Sequence, residues 1–513
     1  MEKIVNWVKQ VWFTKLKNNK YEFAILVAIL AIGAFLRLYK IADYMTFLGD
    51  EGRDVIVVRR LLVYFDLILI GPGTSIGNMY LGPLYYYLIA PSLWLARFSP
   101  VGPSVFVALI GVLTVFLVWK IGHEWFGKTA GLIAALLYAV SPTVIVYSRS
   151  SWNPNVMPFF ALLSIYSIWR VWKYKEFKWL IVLGISYAFV LQSHYLGLLL
   201  APTLFIFWFL AFRNLKLIKN FTKSSLIGLA FFVFLMSPLV IFDARHGWRN
   251  FAATKKFFLA RQETVSIRPW NAIPKFYPIF EKVNSRLLAG RNVTAGKAIS
   301  IIMVAWLIWL FLFGRKSIIH NSSFMVLALW FFFALLGLGL YKQEIYDHYY
   351  GFFFPAPFLL VGALAEGLAK SGKRISGVVL FIVLSSLFIV NLQNSPLKYP
   401  PNQQLRRAKE VAQKIAEESG GRKFNLAVIA ERNYEDGYQY FLEMWQKPIV
   451  EIDAQKPETT ADQLFVVCEI PKEKCDPTHS PKAEVANFGW SRISDQWTVN
   501  GVQLYKLVHT KKL

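Results

Sequence analysis

The sequence predicts an all-α polytopic membrane protein of about eleven transmembrane helices, carrying a small C-terminal α/β domain. Three observations lead there. The 513 residues are 56% hydrophobic and 17% aromatic, a composition that excludes a chain folded round one soluble core. Apolar runs of about 17 to 20 residues recur, each bounded by Lys, Arg, Pro or polar clusters, and that length crosses roughly 30 Å of hydrocarbon. From about residue 395 the pattern shortens and becomes mixed, as in a small water-facing domain.

The N-terminal segment MEKIVNWVKQVWFTKLKNNK is basic, and the apolar stretch behind it is full length with no small-residue cleavage site. It reads as a retained signal anchor. The expected spans are roughly 22–38, 104–120, 129–147, 156–170, 179–193, 196–212, 224–242, 297–313, 323–341, 350–368 and 375–391. A further apolar stretch, 80–97, decides the side of every later loop. If it does not cross, segments 1–20, 120–128, 170–178, 213–223, 315–320 and 370–374 share one side with 20 Lys and Arg, against two in the loops 148–155, 192–195 and 342–349. If it crosses, 15 of those cations change sides, against the positive-inside rule. Eleven spans follow, with the N-terminus cytoplasmic and the chain a multi-pass protein of the plasma membrane. Residues 80–97, interrupted by Pro83 and Pro91, then form an interfacial or re-entrant helix within a long first outer loop, 39–103.

Residues 1–394 are on this reading one transmembrane domain. Its second long outer loop, 243–296, holds ten Lys and Arg against three acids, and long loops are exported regardless of charge. Residues 395–513 form an extracytoplasmic α/β domain. In it NSPLKYPPNQ is a linker, QLRRAKEVAQKIAEESGG an amphipathic helix with a glycine stop, and FNLAVIA, PIVEI, LFVVCE and GVQLYKLV short strands. Cys468 and Cys475 both lie there, where a local disulfide is favoured over two free thiols, and their spacing suggests no metal site.

The net charge is +25, of which residues 1–394 contribute 39 Lys and Arg against 15 acids, and residues 395–513 contribute 17 against 16. The excess therefore belongs to the membrane part, where cytoplasmic loops meet anionic headgroups. Membrane lipids are the partners this charge implies, and nucleic acid is not.

The unusual polar residues gather at the outer ends of spans. The stretch FLGDEGRDVIVVRRLL brings Asp50, Glu51, Arg53 and Asp54, and YSRSSWNPN brings Arg149, Asn153 and Asn155. LQSHY brings Gln192 and His194, FDARHGWRN brings Asp243, Arg245 and His246, and KQEIYDHYY brings Glu344, Asp347, His348 and Tyr349. Each has a plain structural alternative. Asp50 would serve as an N-cap, His194 as a satisfied group at a helix end, Arg149 and Arg245 as snorkelling cations, and Asn153 and Asn155 as turn formers beside Pro154. Together they make a stronger case for transfer from a lipid phosphate. A carboxylate takes the proton of an attacking hydroxyl, and cations meet the charge that grows on the leaving phosphate.

At these residues the chain resembles the GT-C superfold of membrane glycosyltransferases. A basic N-terminus, one span, and an Asp-Glu pair opening a helix in a long outer loop are its layout. The stretch 82–163, from GPLYYYLIAPSLWLARF to SRSSWNPNVMPFFALL, and the later DHYYGFFFPAPFLLVGALAEG carry the likeness further. It is nearest to the protein O-mannosyltransferase and aminoarabinose (lipid A) transferase branch, covers roughly residues 1–392, and leaves the C-terminal domain outside. The resemblance implies a polyprenyl-phosphate sugar donor, a lipid, glycan or protein acceptor, and inverting transfer of a hexose or pentose at the outer face. It makes Asp50 the general base and Glu51 its neighbour in the second shell or at the acceptor. Arg53, Arg149, His194, Asp243, Arg245, His246, His348 and Tyr349 are the expected donor or acceptor contacts, although Arg53 is also placed to pair with Asp50.

Two departures from the family pattern matter. Asn153 and Asn155 stand where relatives often carry Asp, and a neutral amide binds a divalent cation poorly, so no cofactor is expected and metal dependence is doubtful. His348-Tyr349 stands where relatives have Arg-Tyr. The rival functions are a transporter or flippase for a lipid-linked glycan, which would place polar residues mid-membrane, and a polymerase or ligase of surface polysaccharide, which shares the chemistry. A non-catalytic scaffold would make Asp50 dispensable.

Overall fold

The computed structural model describes residues 20–74, 79–213, 218–260, 264–313 and 321–510. The basic N-terminal segment up to residue 19 and the basic segment 315–320 lie outside them. Helix α1 (Lys20–Leu38) shows how the bundle is built. Leu26, Ile29, Gly33 and Leu36 are buried at helical spacing, while Phe23, Ile25, Val27, Ile32 and Phe35 stay exposed. An apolar stripe facing other helices and an equally apolar outer face is the signature of a helix solvated by lipid.

Each expected span is helical over most of its length. Those that follow α1 and the first loop are α4 (Val101–Trp125), α5 (Lys128–Val140), α6 (Met157–Tyr174), α7 (Trp179–Ser193), α8 (Ala201–Phe212) and α9 (Ile218–Arg245). After the second long loop come α12 (Val293–Phe313), α13 (Ser322–Leu340), α14 (Pro355–Lys370) and α15 (Arg374–Gln393). Among the described residues seven helices are long and apolar enough to cross a membrane, and the 3₁₀ turn Asp347–Phe353 with α14 passes the same test only when the two are joined across their 60° bend. α5 and α7 are apolar but shorter. The interruptions sit at prolines, which accept the first turn of a new helix but not its interior. Pro142 splits the predicted span 129–147, Pro202 opens α8 behind a 3₁₀ turn, and Pro355 follows the bend.

The first long loop is largely helical, with α2 (Gly49–Tyr64) and α3 (Leu84–Leu95). At 1.5 Å per residue the 12-residue α3 is about 18 Å long, with Pro91 inside it. The loop 243–296 carries α10 (Arg249–Ala260) and the amphipathic α11 (Phe276–Leu287), which buries Ile279, Phe280, Val283 and Leu287.

Beyond the bundle, α16 (Gln404–Glu418) and α17 (Asp436–Met444) accompany a four-stranded sheet of order β1-β2-β4-β3, with β1 (Asn425–Ile429), β2 (Gln463–Cys468), β3 (Ser491–Val499) and β4 (Val502–His509). β1 and β2 run parallel, and the other pairs are antiparallel. PIVEI, expected as a strand, contributes only an isolated bridge from Ile449 to Phe424. The unexpected strand β3 forms a hairpin with β4 about Asn500-Gly501, both at positive φ as a two-residue turn requires. Cys468 and Cys475 are disulfide-bonded.

Candidate active site

The site begins at the N-terminus of α2. Leu48, not Asp50, is the N-cap residue, and Glu51 Oε2 accepts the Leu48 N–H at 3.0 Å. The capping alternative for Asp50 thereby falls to Glu51, three residues into the turn, as in a capping box. Asp50 is left free to face outward, 41% exposed on a helix whose neighbours Glu51 and Asp54 are buried. Arg53 Nη1 donates to Asp50 Oδ1 at 2.8 Å, and the same guanidinium donates Nη2 to Asp54 Oδ1 at 2.7 Å. A second donor reaches Asp50 Oδ1 from the C-terminal domain, the hydroxyl of Tyr434 at 2.5 Å. Among the described residues no hydrogen bond reaches Asp50 Oδ2.

Burial dominates the electrostatics around this carboxylate. Desolvation pushes Glu51 up to about 7, and pushes Asp54 up to about 6 despite the adjacent Arg53. Below the unfolded value of 4.5 Glu51 is protonated in both states. As pH rises toward 7 the unfolded chain ionises it first, so the folded state loses stability across that window. Glu51→Gln keeps the capping acceptor and removes the ionisation. The expected result is near-normal activity and a smaller drop in thermal midpoint between pH 5 and 8. Asp54 and Asp436, the latter pushed up to about 7 by burial, titrate in the same window. The difference between variant and wild type therefore isolates Glu51.

An aromatic wall faces this helix. His348 contacts the rings of Trp152 at 4.7 Å, Tyr349 at 4.6 Å and His194 at 5.8 Å, and lies within electrostatic reach of both Asp347 and Asp50. Tyr349 also meets His194, at 5.1 Å. His194 Nδ1 accepts the Leu196 N–H at 3.2 Å, so the ring's proton sits on Nε2. Beside His348 the buried Asp347 holds two guanidiniums, Arg286 Nε at 2.7 Å and Arg291 Nη2 at 3.2 Å. Both arginines stay part-exposed, and neither was singled out by the sequence beyond the basic count of its loop.

The structure thus brings Asp50, Arg53, His194, His348 and Tyr349 into one neighbourhood and gives the other expected contacts different surroundings. Arg149 is buried and donates to the carbonyls of Leu36 and Tyr39 while stacking on Tyr44, so it caps the C-terminal end of α1. Asp243 accepts the N–H groups of Asn250 and Phe251, which makes it the cap of α10. Arg245 is exposed on the last turn of α9, and His246 stacks on Phe242 at 4.0 Å.

Asn153 and Asn155 turn their amide nitrogens to the carbonyls of Ser193 and Ser150. Among the described residues no three His, Cys, Asp or Glu side chains are grouped to hold a metal.

Comparison with known proteins gives the fold. Residues 81–242 match the model of the dolichyl-phosphate-mannose-protein mannosyltransferase family. ArnT of Cupriavidus metallidurans, solved bound to undecaprenyl phosphate, superimposes with a TM-score of 0.60 at 12% identity, over 94% of this chain and 97% of ArnT. The archaeal oligosaccharyltransferase AglB of Archaeoglobus fulgidus, solved with an inhibitory peptide and a dolichol-phosphate, gives 0.54 at 13%, over 89% and 70%. The architecture is therefore that of the GT-C membrane glycosyltransferases, and the chain is an integral membrane protein. Among curated proteins it is similar to YkcB of Bacillus subtilis (strain 168), named provisionally as a mannosyltransferase, at 24% identity over 164 residues. That match takes in 31% of this chain and only 22% of YkcB.

Proposed function

We propose that this protein moves a sugar from a polyprenyl-phosphate carrier to a hydroxyl acceptor, with inversion, at the extracytoplasmic face of the plasma membrane. The observation that carries the reading is Asp50. One carboxylate oxygen is anchored by Arg53 and Tyr434 while the other is unengaged, on a part-exposed carboxylate within electrostatic reach of His348. Asp50 Oδ2 takes the proton of the acceptor hydroxyl as that oxygen attacks the anomeric carbon from the side opposite the leaving phosphate. The bond from that carbon to the phosphate oxygen breaks, and polyprenyl phosphate departs.

Arg286 and Arg291 meet the charge that grows on the departing phosphate, held by Asp347 so that their donors are set in advance. A lipid tail has room on the same helix. An apolar cavity of about 370 Å³ is lined by Phe276, Phe280, Val304, Leu307, Phe324 and Phe331, so α11 carries Phe276 and Phe280 into the cavity and Arg286 at its last turn. Glu51 supports the helix start and does not touch the acceptor in this scheme. His194, His348 and Tyr349 form the aromatic face on which a sugar ring packs.

The reading is tested by giving the purified protein a panel of polyprenyl-phosphate sugars, among them mannose and 4-aminoarabinose, and assigning the anomeric configuration of the product by NMR. One donor is consumed and the product is inverted relative to it. Retention of configuration would contradict a single displacement with Asp50 as base.

A further inference from the structure

The stretch Gly49-Asp50-Glu51-Gly52 is flat on one side because two of its residues lack a side chain, and the C-terminal domain lies on that side. A Cβ on Gly49 would run into the Tyr434 ring, and one on Gly52 into the backbone at Asp436 and Gly437. Gly49 N–H donates to Asn433 Oδ1 at 2.8 Å, and Phe47 N–H to Gln404 Oε1 at 3.1 Å. More than two turns further along α2, Arg60 pairs with Glu443 at 2.8 Å. The Phe47 ring packs on Tyr440 and Phe441 of α17, and the Tyr440 hydroxyl donates to the carbonyl of Phe98. The contact therefore combines backbone, ionic and apolar groups along the first turns of α2. What it delivers to Asp50 is one hydroxyl.

We infer that Tyr434 of the C-terminal domain is a positioning residue for Asp50, holding the carboxylate plane so that Oδ2 is presented to the acceptor. The inference rests on the general-base reading above. A carboxylate held by one donor can still turn about its Cβ–Cγ bond, whereas two donors converging on Oδ1 fix both its plane and its free edge. Arg53 is itself tied to the buried Asp54, and the Tyr434 ring is wedged against Gly49, so neither donor is free to follow a turning carboxylate. Burial raises the Tyr434 phenol, which keeps its proton available for donation. The C-terminal domain is on this account part of the active site, and the two glycines flanking the Asp-Glu pair are what admit it.

The test uses the full-length protein and the donor that the wild type consumes. Tyr434→Phe keeps the ring on Gly49 and removes only the hydroxyl. It should lower kcat about tenfold or more, as loss of a hydrogen bond to a charged group does, with the Kd for undecaprenyl phosphate unchanged. Gly52→Ala, which pushes residues 436–437 away, should lower kcat in the same way, and the two changes together should cost less than their product. A Tyr434→Phe enzyme with wild-type kcat overturns the inference. If Asp50→Asn is then inactive, only the role of Tyr434 fails; if Asp50→Asn is also fully active, the general-base reading fails with it. Carbodiimide labelling of Asp50, read by peptide mass spectrometry, should rise in Tyr434→Phe, and unchanged labelling overturns the contact whatever the donor.

Discussion

Replacing Asp50 by asparagine should slow sugar transfer by roughly 10² to 10⁴-fold, the range lost when a general base is removed, while donor binding stays within a fewfold of wild type. Asparagine is nearly the same size and keeps one oxygen, so it can still accept from Arg53 and Tyr434. Its nitrogen cannot accept a proton. The helix itself should not suffer, because its first turn is capped through Leu48 and Glu51. Rates of polyprenyl phosphate release by the two purified proteins give the ratio, and isothermal titration with undecaprenyl phosphate gives the affinity. Equal rates would reduce Asp50 to a residue of the domain contact and favour a transporter or a scaffold.

The second large effect is expected at Asp347. Its carboxylate is 6% exposed and both of its oxygens are held by arginines. Arg286→Ala with Arg291→Ala would leave a buried carboxylate without those partners. Breaking a buried pair costs about 3–5 kcal/mol, and part exposure of the two arginines, 39% and 43%, reduces that to about 2–3 kcal/mol. The thermal midpoint should fall accordingly, and affinity for undecaprenyl phosphate should weaken by about tenfold or more, since charge-assisted contacts to the phosphate are lost. Adding Asp347→Asn separates the two roles. The neutral amide restores much of the stability because no charge is buried, yet the affinity stays weak. Normal affinity in that triple variant would remove these arginines from the donor site.

Much of the bundle is legible in the sequence because lipid imposes a length and polarity rule on every span. Where the reading slipped, the cause is local. β3 was missed because its side chains are mostly exposed and polar, so it lacks an alternating apolar face, although Asn500-Gly501 between two runs is a strong hairpin signal. PIVEI has the composition of a strand, but composition does not show whether a partner edge is available, and only Ile449 bridges to Phe424.

In the sequence, Asp50 stands out by its place after the first span, and His194, His348 and Tyr349 by polarity at helix ends; the structure places these residues near one another. Arg149 and Asp243 show the same polarity for a different reason, since each satisfies backbone groups at a helix terminus. Sequence pattern does not separate a polar residue that caps from one that reacts. Tyr434 had no local signal at all, lying 384 residues from Asp50. Gly49 and Gly52, which the sequence reading did not weigh, are the signal that could have pointed to the contact, since glycines at a helix start let another backbone come close.

The central claim is that a bond to a lipid phosphate is broken here, and it is tested most directly by counting both products of one reaction. The protein in liposomes would be supplied with a polyprenyl-phosphate sugar labelled in both the sugar and the lipid, together with candidate acceptors. The account predicts that labelled polyprenyl phosphate and glycosylated acceptor appear one for one in wild type and that both nearly vanish in Asp50→Asn. Movement of intact lipid-linked sugar across the bilayer, with no polyprenyl phosphate released, would contradict it.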